Sequence, residues 1–66
     1  MNIDDIFNAV DKLGYKTKLY MSPAGALARC FIIEPVGTGT AAYGQGTTRY
    51  DAMENAYRQL MDRMRE

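Results

Sequence analysis

Histidine is absent from these 66 residues, and cysteine and serine occur once each, as Cys30 and Ser22. Without histidine there is no imidazole to deprotonate the thiol and no partner from which a Ser-His-Asp triad is assembled. A Cys/His zinc site lacks its usual ligands, and a lone cysteine closes no intrachain disulfide. No cofactor or metal is expected, the chain reads as non-catalytic, and the thin cysteine usage points to a reducing, cytoplasmic compartment. A dominant sign of charge is missing too. Eight Lys and Arg stand against eight Asp and Glu, with a pI near 6.2, so no whole-molecule field draws in nucleic acid or acidic lipid. Long apolar runs are also lacking: Cys30 to Ile33 is far short of the ~20 residues that span a bilayer. No charged-then-apolar leader opens the chain, and no membrane partner is expected. The length bounds residues 1–66 to a single domain without linker or repeat.

What is present is clear periodicity. Ile3, Ile6, Phe7, Val10 and Leu13 recur three and four apart, which predicts a helix from Asn2 to Leu13. Asn2 suits its N-cap, Asp4 and Asp5 its first turn, and Gly14 the left-handed residue after its end. The period then drops to two. Tyr15, Thr17, Leu19 and Met21 alternate with Lys16, Lys18 and Tyr20, the mark of a half-buried strand. Ser22-Pro23-Ala24-Gly25 predicts a reversal, and a second strand is expected from about Ala26 to Glu34. Pro35 and the Val36-Gly37-Thr38-Gly39 segment predict another turn, before a short strand around Thr40 to Gly44. Thr48-Arg49-Tyr50-Asp51 has capping-box spacing. Ala52, Met53, Ala56, Tyr57, Leu60, Met61 and Met64 then predict a long helix, with Glu54–Arg58 and Arg58–Asp62 as exposed pairs. The expected fold class is α+β: an α-β-β-β-α chain whose three-stranded antiparallel sheet carries both helices on one face.

The candidate chemistry is sparse. Cys30 lies mid-strand and reads as a buried structural residue, and Ser22 as a turn former. Asp4 and Asp5 are explained by capping and the helix dipole, which leaves little for a cation site shared with Glu34. The Gly44-Gln45-Gly46-Thr47-Thr48 segment resembles a phosphate cradle only loosely, since no Gly-Lys-Ser/Thr follows. Thr47, Thr48 and Arg49 are nonetheless a candidate anion or nucleic-acid contact at a helix start.

The second strand is anomalous. With helices on one face only, a strand should alternate apolar and polar, yet Ala26 to Ile33 is apolar on both sides except at Arg29. If Ala28, Cys30 and Ile32 pack beneath the helices, then Leu27, Phe31 and Ile33 surround Arg29 on the open face, where Tyr20 joins them. Lys16 and Lys18 share that face. An apolar-aromatic patch with a basic centre has the composition of an interface hot spot. A core this small rarely stabilises itself by more than about 3–5 kcal/mol, which favours pairing with another copy and makes a homodimer possible.

The Lys12-Leu13-Gly14-Tyr15 helix end, the three strands, and Tyr43-Gly44-Gln45-Gly46-Thr47-Thr48-Arg49 leading into Ala52, Ala56 and Leu60 together resemble the double-stranded RNA-binding domain. The family's lysine cluster at the start of the second helix is represented here by Arg49 alone. The resemblance implies a double-stranded nucleic-acid-binding module using Lys16, Lys18 and Arg49. A fainter likeness joins Met1-Asn2-Ile3-Asp4-Asp5, Tyr15, Lys18-Leu19 and Ile32-Ile33 to small phage-encoded anti-CRISPR proteins. It implies a cytoplasmic protein of phage or mobile-element origin that blocks a host machine, such as a CRISPR-Cas complex, by direct contact. The partner is then a host protein or protein–nucleic acid complex. The expected contact surfaces are the Lys16, Lys18, Tyr20, Leu27, Arg29, Phe31 and Ile33 patch and the Gly37 to Thr48 loops.

Overall fold

The first helix starts on a reciprocal cap: Asp5 N–H donates to Asn2 Oδ1 at 2.9 Å, and Asn2 N–H to Asp5 Oδ2 at 3.0 Å. Such a box satisfies two of the donors that every helix N-terminus leaves unpaired. The computed structural model, which describes residues 2–22 and 24–65, runs α1 (Ile3–Lys12), β1 (Lys16–Met21), β2 (Ala28–Ile33), β3 (Thr40–Gly46) and α2 (Arg49–Arg65). The fold is therefore α+β with the anticipated α-β-β-β-α order. Gly14, at a φ of 87°, turns the chain out of α1 in a conformation that side chains with a Cβ rarely adopt.

The sheet is antiparallel throughout, in the order β1-β2-β3. Ala28, Cys30 and Ile32 of β2 are buried in one cluster with Ile6 and Val10 of α1 and with Ala52, Met53, Ala56 and Leu60 of α2. Both helices thus share one core on one side of the sheet, and the opposite face is left open. The seam is closest where β3 meets α2. A Cβ on Gly44 would overlap the backbone of Ala52 and Ala56, and one on Gly46 would overlap Asp51. The two glycines that suggested a phosphate loop are strand residues whose bare backbone lets α2 lie against the sheet. The third strand accordingly extends two residues past its expected end. The second is shorter than expected, because Leu27 lies in the β1–β2 connection, where its N–H donates to Ser22 Oγ at 3.2 Å. Pro23 lies outside the described residues.

Two features were not visible in the sequence. The β2–β3 register shifts between Ile32 and Ile33, which pair with Ala42 and Thr40, so Ala41 is the extra residue of a bulge. The outer edge of β3 is also covered by side chains of α2. Gln59 Oε1 accepts from Tyr43 N–H at 2.6 Å, Asn55 Nδ2 donates to the Gln45 carbonyl at 2.8 Å, and Arg63 donates to the Ala41 carbonyl. Residues four apart on a helix advance ~6 Å, nearly the step of two strand residues. A polar stripe on α2 therefore matches the strand edge group for group, and occupies backbone that would otherwise recruit another strand. The Arg58–Glu54 pair is present at 2.9 Å, whereas Asp62 faces Arg65 at 3.9 Å, not Arg58.

Candidate functional site

Alternation along each strand decides what reaches the open face. β1 contributes Lys16, Lys18 and Tyr20, β2 contributes Arg29, Phe31 and Ile33, and β3 contributes Tyr43 and Gln45. The register then sets them in rows: Tyr20, Arg29 and Gln45 across one, Lys18, Phe31 and Tyr43 across the next, with Lys16 opposite Ile33 beyond. Phe31 and Tyr43 are direct cross-strand neighbours, with ring centroids 4.8 Å apart and planes inclined at 51°. Tyr20 reaches Phe31 along the diagonal, edge to face, at 5.8 Å and 77°. The Tyr43 hydroxyl donates to Gln45 Oε1 at 2.9 Å, which holds that ring's tip in place. The result is an aromatic band across all three strands. Its outer ring, Tyr20, is 51% exposed. Beside that ring, Tyr20, Met21, Ser22 and Arg29 line a recess of about 280 Å³.

The charge on this face has one sign. Lys16, Lys18 and Arg29 are exposed, and among the described residues no carboxylate lies within ion-pair distance of them. The acidic side chains are elsewhere: Asp4, Asp5 and Asp11 on α1, Asp51, Glu54 and Asp62 on α2, and Glu34 turned toward Arg63 of α2 at 3.7 Å. A chain with zero formal charge therefore has a cationic sheet face, while its two helices mix six described carboxylates with five cations.

Of the contact residues inferred from sequence, Lys16, Lys18, Tyr20, Arg29 and Phe31 come together on this face. Ile33 lies there too but is only 9% exposed, so it shapes the surface without offering much area. Leu27 is half-buried in the β1–β2 connection, off the strand. Tyr43 and Gln45 were missed as members of the patch. Their alternation with Ala42 and Gly44 was legible, but their pairing with Phe31 and Arg29 depends on the bulge. Thr47, Thr48 and Arg49 are exposed at the start of α2, where Thr48 Oγ1 accepts from Asp51 N–H at 3.1 Å. They follow Gly46, which pairs with Ala28, whereas Lys16 pairs with Ile33 at the other end of β2. Arg49 also belongs to the helical side, so the cations expected to grip a duplex are divided between two faces. Of the Gly37 to Thr48 loops, residues 40–46 are strand.

The remaining candidates are inert or already engaged. Cys30 is fully buried, and desolvation pushes its thiol up to about 11 from an ordinary 9.0, which suppresses the reactive thiolate. The Tyr50 hydroxyl is held above its usual range chiefly by its hydrogen bond to Glu54, at 2.7 Å. Between the helices, Leu13, Tyr57, Met61 and Met64 border an apolar groove of about 490 Å³. No described helix is long and apolar enough to cross a membrane.

Comparison with protein families, curated proteins and solved structures found no match for this chain. The element order agrees with that of the double-stranded RNA-binding domain, but membership of that family, or kinship with anti-CRISPR proteins, has no support there.

Proposed function

We propose that this chain is a non-catalytic adhesion protein that engages a larger partner through the open face of its sheet. One observation carries the reading: Tyr20, Phe31 and Tyr43 form a contiguous aromatic band among Lys16, Lys18 and Arg29, with no described carboxylate on that face. Rings concentrate contact energy at low entropic cost, and unpaired cations select an acidic surface. The target class that suits such a face is a protein–nucleic acid complex. A host defence machine such as a CRISPR-Cas assembly, blocked by a phage or mobile-element product, is one instance, supported by small size and by the likeness of the opening residues. A cytoplasmic setting is supported by the single, buried thiol.

Binding of double-stranded nucleic acid is the second reading, favoured by the element order and weakened by the division of Lys16 and Lys18 from Arg49. A homodimer through the same face is a third, opposed by the like charges that a two-fold contact would bring together. The test is affinity capture from host extract with the wild type, with Lys18→Glu/Arg29→Glu on the sheet, and with Asp4→Lys/Asp11→Lys on α1. The reading expects a captured partner that is lost with the sheet variant and retained with the helix variant. Equal capture by all three proteins overturns it.

A further inference from the structure

The open face has a more specific chemistry than adhesion requires. We propose that it binds single-stranded nucleic acid, with bases stacked on Tyr20, Phe31 and Tyr43 and phosphates held by Lys16, Lys18 and Arg29. This rests on the open face being the working surface and names what occupies it.

Three observations favour this occupant. First, the rings are successive steps across the strands, 5.8 and 4.8 Å apart between centroids, longer than the ~3.4 Å per nucleotide along a duplex strand. Their planes are inclined at 77° and 51° to one another. The rings pack against one another as one tilted ledge, and its outer member, Tyr20, is 51% exposed and offers area on which an unpaired base can stack. A duplex keeps its base faces inside its own stack and cannot offer them. Second, the cations border the band on the same face: Lys18 shares a row with Phe31 and Tyr43, and Arg29 sits between Tyr20 and Gln45. A strand whose bases lie on the rings places its phosphates within reach of these side chains. The recess of about 280 Å³ between Tyr20 and Arg29 lies at the end of that track. Third, the charge pattern disfavours a second copy. A two-fold contact sets three cations against three, with no described carboxylate on the face to receive them. Stacking and phosphate contacts are indifferent to the 2′-hydroxyl, so single strands of DNA and RNA both fit.

The test is fluorescence anisotropy of labelled oligo(dT) and oligo(U) of about twelve nucleotides, within the range one such module covers. A duplex of the same length and poly-glutamate are the comparison probes, across a salt series with the whole chain. Both single strands should bind at low salt at least tenfold more tightly than the duplex. Their log affinity should fall with log salt at a slope of about −2, from ~0.7 per phosphate neutralised. Tyr20→Ala, at an exposed position, should weaken binding roughly tenfold, and Tyr20→Phe should restore it. Lys18→Gln and Arg29→Gln should each flatten the salt slope by about 0.7. Circular dichroism confirms that each variant is folded.

Absence of single-strand binding at low salt overturns the proposal. So does equal affinity for the duplex or for poly-glutamate, or a folded Tyr20→Ala protein that binds as well as the wild type. If these fail while Lys18→Glu/Arg29→Glu still abolishes capture from extract, the nucleic-acid inference falls and the adhesion reading stands. If capture too is indifferent to the sheet variants, both fall.

Discussion

Cys30 shows how placement decides the chemistry of a side chain. It points inward from the central strand, between Ala28 and Ile32, where water does not reach it. Below pH 9 the thiol keeps its proton in the folded and the unfolded chain alike and adds no pH dependence to stability. Between about 9 and 11 only the unfolded chain loses that proton, so stability falls as pH rises through this window. Comparing unfolding of the wild type with Cys30→Ala should expose the difference: the wild type loses up to roughly 2 kcal/mol more than the variant across it. The native thiol should resist iodoacetamide at neutral pH and react once the chain is unfolded in denaturant. Rapid labelling of the folded protein would contradict this placement. Among the open-face residues the same logic runs the other way. Tyr20 and Arg29 face outward because the residues beside them turn inward: Ala28 and Cys30 lie in the core, and Leu19 packs against it. Their exposure follows from alternation, which is why both were identifiable from the sequence.

At the scale of elements, the informative contrast is between β2 and β3. The run of apolar residues in β2 was readable as a strand with two greasy faces, and β2 does set buried Ala28, Cys30 and Ile32 against Arg29, Phe31 and Ile33. β3 was not readable to the same depth. Gly44 and Gly46 look like turn residues in a linear sequence, and their role depends on a helix that arrives later in the chain. Gly44→Ala should therefore destabilise the protein by about 2 kcal/mol or more, because neither strand nor helix backbone can yield locally. This lowers Tm by roughly 10 °C, whereas Gly39→Ala, which meets only the Glu34 side chain at 3.7 Å, should shift it little. Equal effects at the two positions would refute the close seam. The stripe Asn55, Gln59 and Arg63 was hidden for a similar reason. Polar residues on a helix read as a solvated face, and only the packed pair reveals that they finish the hydrogen bonding of β3. Tyr43 escaped the inferred patch because the bulge at Ala41 fixes its partner, and no local sequence pattern announces a bulge.

For the molecule as a whole, neutrality conceals a division. The sheet face carries cations alone, whereas the helices carry described carboxylates and cations in nearly equal number, so the two sides present different surfaces to a partner. One edge of the sheet is occupied by α2, and the other bears Lys16 and Lys18 on alternate residues, which discourages edge-to-edge growth. The face between those edges is left for recognition. The most direct measurement of that claim is an amide ¹H–¹⁵N spectrum of the whole chain during titration with oligo(dT). The account predicts that shifts cluster on Lys18, Tyr20, Arg29, Phe31 and Tyr43, leaving Thr47–Arg49 and the helices unmoved. Shifts centred instead on the start of α2, or along the α1–α2 groove, would contradict it.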